Sequence, residues 1–157
     1  MGLHIVLYEP VIPANTGNIA RTCAGTNVAL HLIHPLGFST DDKMLKRAGL
    51  DYWEHVNVIE HESMAQLYSA YKEATYYFIE NFGTNYYTEP DYSNPDEEIF
   101  FVFGKETTGI PKSVIAEKQA QCLRIPMTDN IRSYNLSNTA ALVIFEALRQ
   151  QHFTNLK

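Results

Sequence analysis

The chain has 157 residues and a formal net charge of −6, with 45% apolar and 19% charged residues. This length fits a single domain, 1–157, with one hydrophobic core, and the composition is that of a globular protein rather than a disordered or fibrous one. No run approaches the roughly 18 uninterrupted apolar residues of a membrane span. The N-terminus enters a strand-like segment without the features of a signal peptide. We therefore expect a cytoplasmic protein with no membrane partner.

The sequence alternates between β-rich and helical patterns. A long polar and acidic connection at 83–97 is predicted to lie on the surface. The predicted strands are 3–8, 29–33, 55–59, 76–79, 99–103 and 122–126. The predicted helices begin near Asn15 and near Thr40 (ending at Gly49), cover 62–73, follow Pro111, and run from Leu136 to Leu148. Strands that alternate with helices predict an α/β domain with a mainly parallel sheet.

Cysteine and histidine do not indicate a disulfide or a metal site. Cys23 and Cys122 are far apart in apolar surroundings and are interpreted as reduced, buried side chains. His31 and His34 have a metal-like spacing, but they lie in a strand, where residues three apart point to opposite faces. We therefore predict no metal.

Three polar segments follow predicted strands, at the position where open α/β sheets bind their ligands. They are 15–21, 103–111 and 124–138. In the first, Arg21 near a helix start suits a phosphate or carboxylate. In the second, Gly104 permits a flat ligand to lie against the backbone. The third has more Ser and Asn than helix capping requires, which suggests backbone bent around a ligand.

Each segment also has a purely structural interpretation. The first is then a surface arginine with Asn15 as an ordinary helix cap, the second a strand-to-helix turn, and the third a well-capped loop. The second segment is not a P-loop, because Ile-Pro follows Gly109, and the dinucleotide-binding glycine pattern is missing. No Ser-His-Asp order, Cys-His pair or pair of carboxylates supports a hydrolase. Group transfer from a bound cofactor fits these residues better.

Taken together, the three segments resemble the ordered motifs of the SPOUT methyltransferases, in the SpoU branch. The resemblance spans nearly the whole chain. It is closest to the short tRNA (cytidine/uridine-34 2′-O)-methyltransferases, because Leu7-Tyr-Glu-Pro10 and the segment from Asp41 to Tyr52 also match. The sequence departs from the family at Tyr134, where related enzymes often have Leu.

The resemblance implies an α/β fold with a deep trefoil knot in the C-terminal half. It also implies S-adenosylmethionine as the cofactor, which becomes S-adenosylhomocysteine after transfer. The family's cofactor positions fall on Ile79, Gly104, Ile125 and Ser133. The two isoleucines offer apolar surface to adenine, and Gly104 leaves space beside it.

The family's catalytic arginine corresponds to Arg21. The resemblance implies that it holds a tRNA phosphate beside the target ribose at the wobble position of the anticodon loop. Family members are homodimers whose clefts use residues of both subunits. The net charge of −6 opposes RNA binding, but Arg21 and the cluster Lys43, Lys46 and Arg47 leave room for a basic face.

Two other functions remain open at this point. One is a knotted RNA-binding or cofactor-sensing protein that does not transfer methyl groups, against which the intact Arg21 argues. The other is a flavodoxin-like nucleotide-binding enzyme, which the lack of a phosphate-cradling loop disfavours.

Overall fold

The fold is a seven-stranded sheet with helices on both faces. The computed structural model describes residues 2–115 and 121–157. The strands are β1 (Gly2–Tyr8), β2 (Ala29–Ile33), β3 (Val58–His61), β4 (Thr75–Ile79), β5 (Asn85–Tyr86), β6 (Glu98–Phe103) and β7 (Cys122–Arg124). The helices are α1 (Pro13–Thr26), α2 (Lys43–Trp53), α3 (Met64–Ala70), α4 (Lys112–Ile115) and α5 (Leu136–Gln150).

All strand pairs are parallel, in the order β3-β2-β1-β6-β4-β7-β5. This confirms the predicted α/β class with a parallel sheet. The central strands β1 and β6 have almost no polar interior positions because helices cover both faces. Ile5, Val6 and Leu7 in β1 are all fully buried. Since the strands run in the same direction, their carboxyl ends meet at one edge of the sheet.

The two faces of the sheet form separate cores. Ile5 and Leu7 point to the face that α1 and α5 cover, where Ile19 and Val143 pack against them. Val6 points to the opposite face, which α3 and α4 cover. Helix α2 packs on the outside of α1. The alternation of neighbouring residues between the two cores follows from the two-residue period of a strand.

A row of hydrogen-bonded polar side chains crosses the face under α3. His4 Nε2 lies 2.7 Å from Glu98 Oε2, and His4 Nδ1 lies 3.0 Å from His31 Nε2. His31 Nδ1 in turn lies 2.9 Å from His61 Nε2. Because the Glu98 carboxylate is an acceptor, each histidine donates toward Glu98 and accepts from the next one. The imidazoles are neutral in this arrangement, and we refer to these four residues as the histidine row.

Two predicted features of the sequence differ in the structure. Helix α2 does not end at Gly49 but continues to Trp53, whose side chain packs against the core. Such packing outweighs the cost of an internal glycine, about 1 kcal/mol. The connection 83–97 is not wholly a surface segment, because Tyr92 within it is fully buried, and its exposed residues 85–86 form the edge strand β5. Its short strand and lone buried aromatic are too brief to give a periodic pattern.

Strand β7 lies between β4 and β5, although β4 and β5 follow each other along the chain. The connection 80–84 therefore crosses β7. A Cβ on Gly83 would lie 2.7 Å from the carbonyl carbon of Leu123, so the crossing backbone lies directly on β7. Only glycine fits this approach.

The helices in the described part of the chain are short or only partly apolar. The longest, α5, has 15 residues. Among the residues 2–115 and 121–157, no helix is long and apolar enough to cross a bilayer.

Candidate active site

One cleft opens at the carboxyl edge of the sheet, with a volume of about 620 Å³. Its walls come from the ends of β4, β6 and β7 and from the start of α1. This volume lies within the range typical of small-molecule and cofactor sites. The lining residues are Ile12, Asn15, Ile79, Glu80, Asn81, Phe103, Gly104, Lys105, Glu106, Thr107, Thr108, Gly109, Ile125, Met127, Arg132, Ser133, Tyr134, Asn135, Leu136 and Thr139.

The four predicted cofactor positions all line this cleft. Ile79 is the last residue of β4, and Ile125 follows β7 directly. Gly104 follows β6, and Ser133 lies on the exposed loop before α5. The residues are far apart in sequence, and the shared strand direction brings them together.

The structure explains the glycine at position 104 differently from the sequence, which suggested space for a ligand. A Cβ at this position would lie 2.6 Å from the backbone nitrogen of Ile110 and 2.7 Å from the carbonyl carbon of Gly109. The space beside Gly104 is therefore filled by the returning backbone of its own loop. Glycine is required so that the 104–110 loop can close, and the closed loop forms one wall of the cleft.

Glu106 connects this loop to the start of α1. Its carboxylate accepts the backbone N–H groups of Val11 at 3.0 Å and Ile12 at 2.9 Å. The same carboxylate lies 3.4 Å from Nδ2 of Asn15. A negative charge at a helix N-terminus is favourable because the helix dipole is positive there. Helix α1 has no capping bond from its N-cap residue, Ile12, so Glu106 supplies the acceptor from another part of the chain.

Asn135 connects the third segment to the first. Its Oδ1 accepts the backbone N–H groups of Ser137 at 2.9 Å and Asn138 at 3.3 Å, which caps α5. Its Nδ2 donates to Oδ1 of Asn15 at 3.1 Å. Glu106, Asn15 and Asn135 thus form one hydrogen-bonded chain, the cleft chain, which links all three polar segments. The interpretation of Asn15 as a helix cap is wrong, because Asn15 lies inside the first turn and is 7% exposed.

Glu80 places a carboxylate in the cleft that sequence reasoning did not predict. It directly follows the apolar end of β4, and its Oε1 accepts the N–H of Ile110 at 2.6 Å. Burial raises the pKa of the Glu80 carboxyl, and the Ile110 hydrogen bond opposes that shift. A charged residue immediately after a buried strand was the available sequence signal.

Tyr134 closes the third segment on itself. Its hydroxyl donates to the carbonyl oxygen of Pro126 at 3.1 Å, across the mouth of the loop. Asn81 also holds this loop, since its Nδ2 donates to the carbonyl oxygen of Arg132 at 2.7 Å. The loop 126–134 therefore has anchors at both ends of its path around the cleft.

Arg21 is not among the described residues that line this cleft. It lies exposed on α1, with its guanidinium carbon 4.9 Å from the ring centroid of Tyr52 on α2. Such cation–π contacts hold a guanidinium in place while leaving its N–H groups free to donate. Lys43, Lys46 and Arg47 on α2 are also exposed, so α1 and α2 together carry a local excess of positive charge.

The geometry also separates His31 from His34, as predicted. His31 is fully buried in the histidine row, whereas His34 is partly exposed with its Nε2 2.8 Å from Glu60. In the portion of the chain that the structure describes, no three or more His, Cys, Asp or Glu side chains are arranged so that they could hold a metal ion.

The chain is similar to known proteins along nearly its whole length. A Bacillus subtilis (strain 168) protein, provisionally named as a tRNA (cytidine(34)-2′-O)-methyltransferase, is 62% identical over 157 residues, covering 100% of this chain and 98% of its own. The tRNA (cytidine(34)-2′-O)-methyltransferase of Escherichia coli (strain K12) is 44% identical over 149 residues, covering 94% of this chain and 93% of its own.

A solved structure that concerns 2-OH methylation of C/U34 on tRNA superposes with a TM-score of 0.88 at 40% identity, covering 96% of this chain and 97% of that chain. The model of the SpoU rRNA Methylase family matches residues 2–145. The chain therefore belongs to the SpoU rRNA methylase family.

Proposed function

We propose that this protein transfers a methyl group from S-adenosylmethionine to the ribose 2′-hydroxyl of nucleotide 34, cytidine or uridine, in the anticodon loop of tRNA. The observation that carries the proposal is the convergence of three separate polar segments on one cleft. The relatives with the same named activity match nearly the full length of the chain.

The cleft fits the cofactor in size and in chemistry. Ile79 and Ile125 offer apolar surface for an adenine, and the closed loop after Gly104 presents backbone groups beside them. Ser133 adds a hydroxyl to the lining of the cleft. When bound, S-adenosylmethionine supplies a methyl group that is already activated by its sulfonium. The chain therefore has to orient the cofactor and the ribose, and requires little further acid or base chemistry.

Arg21 binds and positions the RNA in this proposal. A guanidinium stays protonated, so it is a poor base but a good partner for a phosphate. Tyr52 fixes the direction of the side chain. With the phosphate held, the 2′-hydroxyl is oriented for attack, and the positive charge favours loss of its proton.

We further propose that the active form is a homodimer in which Arg21 of one subunit serves the cleft of the other. Arg21 does not line the cleft of its own chain. Helix α5 carries Leu142 and Phe145 with 43% and 47% of their surfaces exposed, three residues apart on one face. Adjacent exposed apolar side chains on a helix whose first turn lines the cleft are typical of an interface between subunits.

The knot is part of the proposal as well. It is supported by β7 lying between β4 and β5 and by the close crossing of Gly83 over Leu123. We also propose that residues 1–157 act as one domain and that the protein works in the cytoplasm, where its two cysteines, both buried and unpaired, remain reduced.

The test is transfer of a labelled methyl group to tRNA that lacks this modification, followed by nuclease mapping of the modified nucleotide. We expect label on the 2′-oxygen of nucleotide 34. Arg21→Ala should abolish transfer while cofactor binding stays largely intact. Cofactor binding without transfer to any RNA would instead favour the cofactor-sensing protein, and equal loss of binding and transfer in Arg21→Ala would contradict the role of Arg21.

Mixed dimers test the shared site. Arg21→Ala and a variant whose 104–110 loop cannot close to form the cleft wall, such as Gly104→Val, should each be inactive alone. If Arg21 acts on the partner's cleft, mixing the two after unfolding and refolding restores up to about a quarter of the wild-type activity, because half of the random dimers contain one complete site of two. No recovery would show that Arg21 acts within its own subunit.

A further inference from the structure

Glu80 is fixed at the wall of the cofactor cleft by its backbone. Its N–H donates to the carbonyl oxygen of Leu123 at 2.9 Å, and its own carbonyl oxygen accepts the N–H of Gly83 at 3.1 Å. These bonds tie it to β7 and to the crossing connection 80–84. Its side chain is therefore directed by rigid elements rather than by a mobile loop.

Among the described residues, the carboxylate has one hydrogen-bond donor. Oε1 accepts the N–H of Ile110 at 2.6 Å, and Oε2 has no donor among the described residues. Both oxygens lie against Gly109, where a Cβ would be 3.0 Å from Oε1 and 3.2 Å from Oε2. The glycine at 109 thus leaves the carboxylate uncovered on the side of the cleft.

No cationic side chain compensates this charge in the described part of the chain. Lys105, the lysine that lines the cleft, pairs with Glu9 at 3.2 Å, and Lys112 lies over the ring of Phe82. Arg132 also lines the cleft, but it is exposed and forms no ion pair with Glu80 among the described residues. A half-buried carboxylate without a cation is unfavourable unless a ligand supplies the missing positive charge. Burial also raises the pKa of Glu80, because a poorly solvated carboxylate binds a proton more readily.

We infer that Glu80 is a specificity-determining residue of the cleft, whose carboxylate favours the cationic cofactor S-adenosylmethionine over the product S-adenosylhomocysteine. This inference rests on the proposed function. In the transfer, the carbon–sulfur bond to the methyl group breaks and its electron pair stays on sulfur. The 2′-oxygen gains the methyl group and its proton leaves to water, so the sulfonium becomes a neutral thioether. The carboxylate of Glu80 attracts the sulfonium but not the thioether. S-adenosylhomocysteine is therefore bound less tightly, which favours its release.

Glu106, the other carboxylate of the cleft, does not meet these conditions. Both of its oxygens accept backbone N–H groups at the start of α1, where the helix dipole also offsets its charge. Its carboxylate therefore serves to hold the 104–110 loop against the start of α1. Of the two carboxylates, Glu80 is the one with an oxygen that accepts no hydrogen bond from the described residues and can contact a ligand.

The experiment measures the dissociation constants of three ligands by calorimetry: S-adenosylmethionine, sinefungin, in which a protonated amine replaces the sulfonium, and S-adenosylhomocysteine. The proteins are the wild type, Glu80→Gln and the control Glu60→Gln. Gln is nearly isosteric and keeps an acceptor for Ile110, while it removes the negative charge and replaces one oxygen with an NH2 group. Glu60 is exposed on β3, at the far edge of the sheet from β7, so the control removes the same charge from a distant site.

We expect Glu80→Gln to lower the preference for the two cationic ligands over S-adenosylhomocysteine by about tenfold. The control should change it by less than about twofold, because distant exposed charges are screened. A preference ratio is independent of the fraction of active protein. If Glu80→Gln does not fold, as seen by thermal unfolding, Glu80→Thr replaces the carboxylate with a smaller neutral side chain in the same measurement.

Equal weakening of all three ligands would overturn the inference, since Glu80 would then serve groups that both cofactor and product carry. An unchanged preference in Glu80→Gln would overturn it too. Both results leave the proposed function standing. Failure of the wild type to bind any of the three ligands would overturn the cofactor assignment and this inference together.

Discussion

Two chains of hydrogen-bonded polar side chains cross this molecule, and they differ in what they connect. The histidine row joins neighbouring strands inside the sheet, and its middle member, His31, is fully buried. The cleft chain, Glu106, Asn15 and Asn135, joins loops and helix starts at the open edge. The first connects strands that backbone hydrogen bonds already fix, whereas the second connects loops and helix starts that lie far apart along the chain.

This difference predicts separate consequences for stability and function. A buried row whose members depend on each other for hydrogen bonds makes folding sensitive to the loss of any one of them. A chain at the edge of the cleft sets the relative positions of the three segments that form the site, where small displacements affect catalysis most. The four predictions below test this separation.

The largest effect on stability is expected from His31→Leu. The substitution leaves Nδ1 of His4 and Nε2 of His61 without their partner, in surroundings that water does not reach. We expect the free energy of unfolding to fall by about 3 kcal/mol at pH 7.5, as measured by urea denaturation. Methyl transfer by the folded variant should be unchanged. If the variant is as stable as the wild type, the hydrogen bonds of the row contribute no more to the free energy of unfolding than a packed apolar side chain does.

Asn135→Ala is expected to do the reverse. It removes the cap of α5 and the hydrogen bond to Asn15, so the third segment is no longer held in a fixed position relative to α1. We expect methyl transfer to fall by about 100-fold, with a loss of about 1 kcal/mol in the free energy of unfolding from the missing cap. Asn135→Ser is the matched control, because serine restores the cap without reaching Asn15. Recovery of full activity with serine would assign the effect to the cap alone.

The main strands of the sheet and the position of the cleft could be predicted from the sequence alone. The strands β1, β2 and β6 are evident because burial on both faces requires continuous apolar runs. The cleft was predictable too, since the carboxyl ends of parallel strands meet and the polar surplus follows those strands. Local pattern and global direction agree at these positions.

The side-chain partners were not predictable, because they depend on distances along the chain that no local pattern records. Glu106 lies 91 residues from Asn15, and Asn15 lies 120 residues from Asn135. The histidines of the row are 27 and 30 residues apart, and their common side of the sheet follows only from strand register. A helix start at Asn15 looks like an ordinary cap until the distant Glu106 is known.

A pH series separates charge from packing in the histidine row. Burial first, and the neighbouring His4 and His61 second, lower the pKa of His31 to about 3. Burial also lowers the pKa values of His4 and His61. Between pH 6.5 and about 3 the unfolded chain therefore binds more protons than the folded one, so stability falls as the pH falls.

For His31 this loss is about 1.4 kcal/mol per pH unit below pH 6.5. His31→Leu lacks it, so the stability gap between wild type and variant should narrow by that amount for each unit. Urea denaturation at several pH values between 7.5 and 4.5 measures the gap. A gap that stays constant with pH would mean that folding does not shift the pKa of His31.

The smallest effect is expected at the mouth of the cleft, from Tyr134→Phe. The change removes only the hydroxyl that donates to the carbonyl oxygen of Pro126, and Tyr134 is 38% exposed, so water replaces the lost bond in part. We expect cofactor affinity to weaken by about twofold, with no change in the free energy of unfolding beyond about 0.5 kcal/mol. Calorimetric binding of S-adenosylhomocysteine measures the first quantity. Tyr134→Leu, which also removes the ring, distinguishes the hydroxyl from the apolar contact. If leucine binds as tightly as tyrosine, the loop needs neither, and the anchor between Asn81 and Arg132 is sufficient to hold it around the cofactor.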